Sequence, residues 1–308
     1  MTARQPHRLM ITGAGGFTGQ YVQALALQAG YECIALLPPQ TTSEPNLCLS
    51  GVDVVRADLL DAATLQKIVQ QVRPDYVIHL AAVAFVGYTD ITQIYQTNVV
   101  GTINLLEALA QHGDGVQRIL LASSANIYGN ADTLPIRESH PPRPLNDYAV
   151  SKYAMELAAG LRGSLPVVVV RPFNYTGVGQ SDSFLLAKIV SAYRQSRRVI
   201  RLGNLQVARD FSDVRDVADA YLSLLQADTA SGVYNICSGR SVALLQIIEM
   251  MNRLAGYTMQ VEVDSALVRR NDIKDLYGSD ERLRACIGAW RQHELEDTLH
   301  WMLTTPAP

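Results

Sequence analysis

The stretch Leu9-Met10-Ile11-Thr12-Gly13-Ala14-Gly15-Gly16-Phe17-Thr18-Gly19 decides the fold. A short apolar run leads directly into a turn with glycines at 13, 16 and 19, and apolar residues then recur at helical spacing from Gln20 to Ala29. Glycine at these places permits a tight turn, close approach of the backbone to a phosphate, and close helix–strand packing. The sequence predicts a strand, a phosphate-binding turn and a helix, although a merely tight strand–helix turn is the alternative.

Composition narrows the classes of partner. The 308 residues are 48% hydrophobic and 18% charged, which is typical of a globular protein, and the formal net charge is −3. Such a charge gives no broad basic surface for nucleic acid or an anionic membrane. The first residues contain no apolar leader, and no run of about 18 apolar residues occurs. We expect a cytoplasmic protein with neither nucleic-acid nor membrane partners.

The cysteines do not form a metal-binding or disulfide pattern. Cys33, Cys48, Cys237 and Cys286 are dispersed, with no C-x-x-C pair. Dispersed thiols are typical of buried apolar residues in a reducing compartment. We expect no metal site.

Seven short apolar runs predict a parallel sheet that is buried on both faces. They lie at 9–11, 33–37, 52–55, 76–78, 119–121, 167–170 and 233–236. Because helical patterns separate them, the expected fold class is α/β, a doubly wound parallel sheet with helices on both faces.

The alternation of short apolar runs with helical patterns weakens after Gly177. Helical patterns at 183–195, 244–254 and 295–303 predict a smaller mixed α/β C-terminal lobe there. Residues 209–226 and 233–239 nevertheless have the patterns of a helix and a strand of the first layer. We therefore assign residues 1–175, with 207–240 returning, to a dinucleotide-binding domain. Residues 176–206 and 241–308 are assigned to a substrate-binding lobe.

The end of the second strand bears on the choice of nicotinamide cofactor. A carboxylate there binds the ribose hydroxyls of NAD and repels the 2′-phosphate of NADP. This strand ends Leu36-Leu37-Pro38-Pro39, without a carboxylate and without an arginine that favours the phosphate. NADP(H) is favoured over NAD(H). Asp58 is interpreted as an acceptor for the adenine amino group, and a helix cap for Ala62 onward is the alternative.

A phenol and an ammonium stand four residues apart in Tyr148-Ala149-Val150-Ser151-Lys152. On a helix this spacing puts both on one face, where the cation is expected to lower the pKa of the phenol. A tyrosine so placed exchanges a proton with a carbonyl oxygen. Ser123 and Ser124 precede this pair by about two dozen residues, at the end of the fifth apolar run.

Together these motifs resemble extended short-chain dehydrogenase/reductases of the nucleotide-sugar epimerase/reductase type, over essentially the whole chain. The resemblance rests on Thr12 to Gly19, His79-Leu80-Ala81-Ala82, Asn98-Val99-Val100-Gly101-Thr102, the run from Ser123 to Gly129, Tyr148 to Lys152, and Arg171-Pro172-Phe173-Asn174. It implies a Rossmann fold and a Ser124, Tyr148 and Lys152 triad with Asn98 completing the proton network. It implies cofactor contacts at Gly13, Gly16, Phe17, Thr18, Gly19, Asp58, Leu59, Leu80, Ala81, Ala82, Tyr148 and Lys152. Otherwise Asn98 would be an ordinary helix-face amide and Ser124 an ordinary strand-end hydroxyl.

Subtypes of this family differ after Ser124. Sugar dehydratases carry Asp-Glu there, whereas this chain has Ala125 and Asn126, and it lacks the Cys and His of combined epimerase-reductases. The stretches 177–184, 201–205 and 209–216 resemble GDP-4-keto-6-deoxy-D-mannose reductases. This implies substrate contacts at Ser124, Asn126, Asn174, Phe184, Lys188, Asn204, Arg209 and Arg269, with both arginines on the diphosphate. A surface ion pair of Arg209 with Asp213 or Asp216 is the alternative.

The predicted function is NAD(P)H-dependent reduction of the 4-keto group of a GDP-4-keto-6-deoxyhexose. A nucleotide-sugar 4-epimerase and a non-catalytic cofactor-binding scaffold are the alternatives. Helices predicted at 92–111 and 148–162 carry more apolar residues than a single buried face requires. We therefore expect a homodimer in which these helices pair as a four-helix bundle.

Overall fold

The computed structural model describes residues 6–39, 48–228, 230–268, 274–290 and 292–305. The strands are β1 (Arg8–Thr12), β2 (Glu32–Leu37), β3 (Val52–Arg56), β4 (Tyr76–His79), β5 (Arg118–Ala122), β6 (Val167–Pro172), β7 (Asn174–Thr176), β8 (Val199–Leu202), β9 (Ala208–Arg209), β10 (Phe211–Asp213), β11 (Gly232–Ile236), β12 (Val242–Ala243), β13 (Gln260–Val263) and β14 (Asp275–Leu276). The α-helices are α1 (Phe17–Gln28), α2 (Ala62–Val72), α3 (Ile91–Tyr95), α4 (Thr102–His112), α5 (Asp147–Gly160), α6 (Leu185–Arg194), α7 (Val214–Gln226), α8 (Leu244–Ala255), α9 (Glu281–Ile287) and α10 (Leu295–Thr304).

All seven apolar runs of the sequence lie in one parallel sheet, whose strand order is β11-β6-β5-β4-β1-β2-β3. The strand order reverses between β1 and β4, which is where ligands bind in open α/β sheets. The predicted doubly wound fold is confirmed.

Alternate residues of the sheet strands pack against different helices. Leu9 and Ile11 contact the cluster that contains α1 and α7, whereas Met10 contacts the cluster that contains α2, α4 and α5. Because both faces are covered by helices, the strands read as continuous apolar runs rather than as alternating ones.

A further apolar cluster lies outside the large sheet. It joins α6, α8 and α10 with β8 and β13, which pair in parallel. This is the smaller mixed α/β lobe. The exact division into two domains stays a prediction.

Two helices differ from the sequence interpretation. The helix expected at 92–111 is interrupted by a π-helical turn, Gln96–Gly101, between α3 and α4. The helix expected from Arg209 begins only at Val214, because Asp213 accepts a hydrogen bond from the backbone of Arg215 as its N-cap. Arg209 and Phe211 belong instead to β9 and β10.

The four cysteines are free thiols, of which Cys33 and Cys237 are buried. Within the described ranges, no helix combines the length and apolar character needed to cross a membrane.

Candidate active site

The glycine turn lies between β1 and α1 and is closed on one side by the residues after β4. Gly13 has φ of +67°, and a Cβ there would lie 2.6 Å from the Ala81 nitrogen. A Cβ on Gly19 would lie 2.3 Å from the Ala14 oxygen. Gly16, the N-cap of α1, has no side chain to bond the first backbone N–H groups of the helix. The first N–H donors of α1 are therefore not bonded by a capping side chain, and such donors at a glycine turn fit the phosphates of a dinucleotide.

Other expected cofactor residues surround this turn. Leu80 and Ala81 bond to Thr12 through their backbone N–H groups, at 3.1 Å to the carbonyl and 3.2 Å to Oγ1. Ala82 follows in the same loop. Thr18 shares a 2.8 Å hydrogen bond with the Tyr175 hydroxyl, and Phe17 stacks on the Tyr175 ring.

Asp58 and Leu59 follow β3. The Asp58 carboxylate accepts from the Leu60 N–H at 2.9 Å, whereas Asp61 is the N-cap of α2. The alternative that Asp58 caps this helix is therefore wrong. The Leu59 carbonyl accepts from Asn104 of α4.

His79 joins the glycine turn to α4. Its Nδ1 lies 2.6 Å from Thr12 Oγ1, and its Nε2 lies 2.8 Å from Thr102 Oγ1. Burial, and secondarily the charge of Lys152, lower the pKa of His79 to about 3. The ring is therefore neutral at physiological pH, so it links the two hydroxyls without adding charge.

Tyr148 and Lys152 lie in the first two turns of α5, and both are buried. Asn146 caps this helix by accepting from the Ala149 N–H. Lys152 Nζ donates to the carbonyl of Ala122, the last residue of β5, at 2.7 Å. Because Ser124 follows β5 closely, the three predicted triad residues meet at the carboxyl end of the sheet.

The expected lowering of the Tyr148 pKa by Lys152 is not found. Burial raises the pKa of Tyr148 to about 12, and the hydrogen bond from Ser124 acts in the opposite direction. Asn126 donates to Ser124 Oγ through its backbone N–H and its Nδ2, at 3.2 and 3.1 Å. These bonds use the acceptor positions of Ser124, so its own O–H points to Tyr148 as the donor. Tyr148 is thus protonated at neutral pH.

Burial lowers the pKa of Lys152 to about 8, and the Glu156 carboxylate acts in the opposite direction. Asn98, in the π-helical turn, donates from Nδ2 to Ser151 Oγ at 2.9 Å, and its Oδ1 accepts from the Val83 N–H. Asn98 therefore supports the residue that precedes Lys152. Its place in a proton network stays a prediction.

The expected substrate residues come from several segments. Asn174 donates to the carbonyl of Asp210, next to Arg209. Lys188 Nζ donates to the carbonyl of Arg201 at 3.3 Å, and Asn204 follows β8. Arg269 lies outside the described residues. Asp213 and Asp216, the acids considered as partners of Arg209, bind Arg215 and His293.

Three residues of this region were not found from the sequence. Phe85, after β4, makes an edge-to-face contact with Phe184, the N-cap of α6. Asp210 is fully buried and accepts from Ser238 and Gly239 backbone N–H groups, which fixes the strand that carries Arg209. The buried Ser123 hydroxyl has no hydrogen-bond partner in the described part of the chain. The first two depend on tertiary contacts, whereas Ser123 stood next to a predicted site residue.

Solved structures and curated proteins resemble this chain over nearly its whole length. GDP-6-deoxy-D-mannose reductase of Pseudomonas aeruginosa is 38% identical, covering 92% of this chain and 91% of that protein. GDP-6-deoxy-D-talose 4-dehydrogenase of Aggregatibacter actinomycetemcomitans is 30% identical, covering 91% of each. A putative epimerase from Burkholderia cenocepacia superposes with a TM-score of 0.91 at 44% identity, covering 97% and 98%. RMD from Pseudomonas aeruginosa, solved with NADPH, superposes with a TM-score of 0.80 at 33% identity, also covering 97% and 98%.

The family model for the NAD dependent epimerase/dehydratase family matches residues 9–237, from β1 through the residue after β11. This span contains the glycine turn, Ser124, Tyr148 and Lys152. The chain belongs to the NAD dependent epimerase/dehydratase family.

Proposed function

We propose that this protein reduces the 4-keto group of a GDP-4-keto-6-deoxyhexose to a hydroxyl with NAD(P)H. The observation that carries the proposal is the protonated, buried Tyr148 beside Ser124, one helical turn from Lys152. A reductase needs a proton donor at the substrate oxygen. A phenol with a pKa of about 12 is protonated at neutral pH and can give its proton to that oxygen as hydride adds to the carbonyl carbon.

Each residue has a separate chemical task. The nicotinamide, when bound, supplies the hydride that adds to the carbonyl carbon. Tyr148 gives its proton to the carbonyl oxygen of the bound substrate, and Ser124 hydrogen-bonds that oxygen, which leaves Tyr148 as a phenolate. Lys152 adds a positive charge on the same helix face, which stabilises that phenolate.

The residues after Ser124 favour simple hydride transfer over elimination. Elimination of water needs a separate acid and base, whereas Ala125 has no ionisable group and the Asn126 amide is bonded to Ser124. The substrate class is supported by the two relatives named for GDP-6-deoxy sugars. In this proposal Asn174, Phe184, Lys188, Asn204, Arg209 and Arg269 hold the GDP moiety.

NADP(H) is the proposed cofactor. The end of β2 carries no carboxylate to repel a 2′-phosphate, and RMD from Pseudomonas aeruginosa was solved with NADPH. We also propose that the enzyme is a homodimer. We propose that it acts in the cytoplasm, since its cysteines are free and a reducing compartment preserves thiols.

The likeness to a putative epimerase keeps 4-epimerisation as the second candidate. An epimerase oxidises and reduces the same sugar, so it consumes no net NAD(P)H. The purified protein should consume one equivalent of NADPH per GDP-4-keto-6-deoxy-D-mannose and yield a GDP-6-deoxyhexose by NMR. Turnover of a 4-hydroxy sugar without net NADPH consumption would instead establish the epimerase.

Tyr148→Phe tests the proton donor. Because the variant keeps the ring but lacks the hydroxyl, turnover should fall by about 10²-fold or more while cofactor affinity changes little. Steady-state kinetics and cofactor titration measure the two effects separately. Retained turnover would contradict the role of Tyr148.

A further inference from the structure

The carboxyl end of β3 lies directly beside the carboxyl end of β2. These strands pair in parallel with Leu37 opposite Arg56, and the Ala57 N–H continues the pairing with a 2.9 Å bond to the Leu37 carbonyl. Among the described strands, β3 lies at the edge of the sheet, and β2 is the strand that pairs with it. The side chain of Arg56 thus lies beside the carboxyl end of β2.

The Arg56 guanidinium is anchored at this corner. Its NH1 donates to the Pro38 carbonyl, immediately after β2, at 3.0 Å. Arg56 is exposed, and no ion pair with an acid is found for it among the described residues. A guanidinium has five N–H donors, so one bond to a carbonyl leaves donors for an anion.

The adenine ribose of a dinucleotide lies at the end of the second strand in this fold, and a nearby arginine accommodates the 2′-phosphate of NADP. Here the carboxyl end of the second strand supplies neither an acid nor an arginine, but the neighbouring strand β3 brings the Arg56 cation to the same place. The fork of a guanidinium matches a phosphate in shape and charge.

We propose that Arg56 binds the 2′-phosphate of NADP(H) and makes the protein prefer NADP(H) to NAD(H). This inference rests on the proposed NADPH-dependent function and names the residue that decides between the two cofactors. The Pro38 carbonyl positions the guanidinium and holds it at the end of β2.

Binding measurements with ligands that differ only in the 2′-phosphate give the contribution of this group to affinity. Arg56→Ala should weaken the binding of NADP⁺ by about tenfold or more, because a charge-assisted hydrogen bond to the 2′-phosphate is lost. The affinity for NAD⁺ should change by less than about twofold. The fragments adenosine 2′,5′-bisphosphate and 5′-AMP should repeat this difference. Isothermal titration calorimetry gives all four affinities without any sugar substrate.

Lys67→Ala is the matched control, since Lys67 is an exposed cation on α2 and its loss changes the net charge equally. It should leave all four affinities within about twofold, because long-range charge is screened in salt. Equal loss of NADP⁺ and NAD⁺ binding in Arg56→Ala would assign Arg56 only a structural role at Pro38. That outcome, unchanged NADP⁺ affinity, or a wild-type preference for NAD⁺ overturns the proposal.

These outcomes are independent of the sugar reaction. A wild-type protein that reduces the GDP-keto sugar but shows no effect of Arg56→Ala keeps the proposed function and loses this inference. A protein that binds NADP⁺ through Arg56 but does not reduce the sugar keeps this inference and loses the proposed function.

Discussion

The fold brings the pKa of Lys152 close to physiological pH. Burial lowers its pKa from 10.5 to about 8, while the pKa of Tyr148 is raised to about 12. As pH rises through about 8, Lys152 therefore loses its proton before Tyr148 does. We expect kcat/KM for the reduction to fall above about pH 8, since this parameter reports the ionisation of the free enzyme.

A pH–rate profile with Lys152→Arg as the control measures this effect. An arginine stays protonated throughout the accessible range, so the decline near pH 8 should disappear even if the variant is slower. A wild-type profile that stays flat to about pH 10, near the ordinary lysine pKa, would contradict the lowered value.

At the scale of elements, a buried ion pair joins α5, the helix that carries Tyr148 and Lys152, to the sheet. Arg171 of β6 donates to Glu156 of α5 at 2.6 and 3.0 Å, and both side chains are 7% exposed. Arg171 also donates to the Tyr128 hydroxyl at 2.9 Å. Glu156 is one helical turn beyond Lys152, so the pair fixes the part of α5 that carries the site.

Glu156→Gln should lower the free energy of unfolding by about 3–5 kcal/mol, because removing one partner leaves the other charge buried without compensation. Denaturant unfolding measures the loss. Glu281→Gln is the control, since the Arg137–Glu281 pair is exposed and should contribute little. Equal, small changes in both variants would mean that the buried pair does not stabilise the junction of α5 with the sheet.

The elements that the sequence predicted well are those with a strong local pattern. The apolar runs of the inner strands are continuous because helices cover both faces, whereas the edge strand β3 has no buried residue. The glycine turn requires glycine at Gly13 and Gly19. The π-helical turn at Gln96–Gly101 was missed, since one extra residue in a turn hardly alters the apolar periodicity. Arg56 was missed because its position beside Leu37 depends on strand register, which no local pattern records.

At the scale of the whole molecule, the helices predicted at 92–111 and 148–162 expose fewer apolar residues than their sequence suggested. Many apolar residues of the segments 92–111 and 148–162 are buried in the single chain, among them Ile94, Leu105, Leu106, Leu109, Ala149, Met155 and Ala158. Val100, Val150, Leu157 and Leu161 remain exposed, and Leu161 is 86% exposed. Val150 and Leu157 lie on α5, which packs beside α4, and Leu161 directly follows α5, so a second copy related by a two-fold axis would cover them.

The proposed dimer predicts a mass near twice the 33.7 kDa of one chain in dilute solution. Leu157→Glu should shift the protein to the monomer, because pairing would bury a carboxylate against its two-fold mate. Leu245→Glu, at an exposed position on α8, is the control and should leave the mass unchanged. Light scattering distinguishes these results. A wild-type mass near 33.7 kDa would show that the α4–α5 face stays uncovered by a second copy.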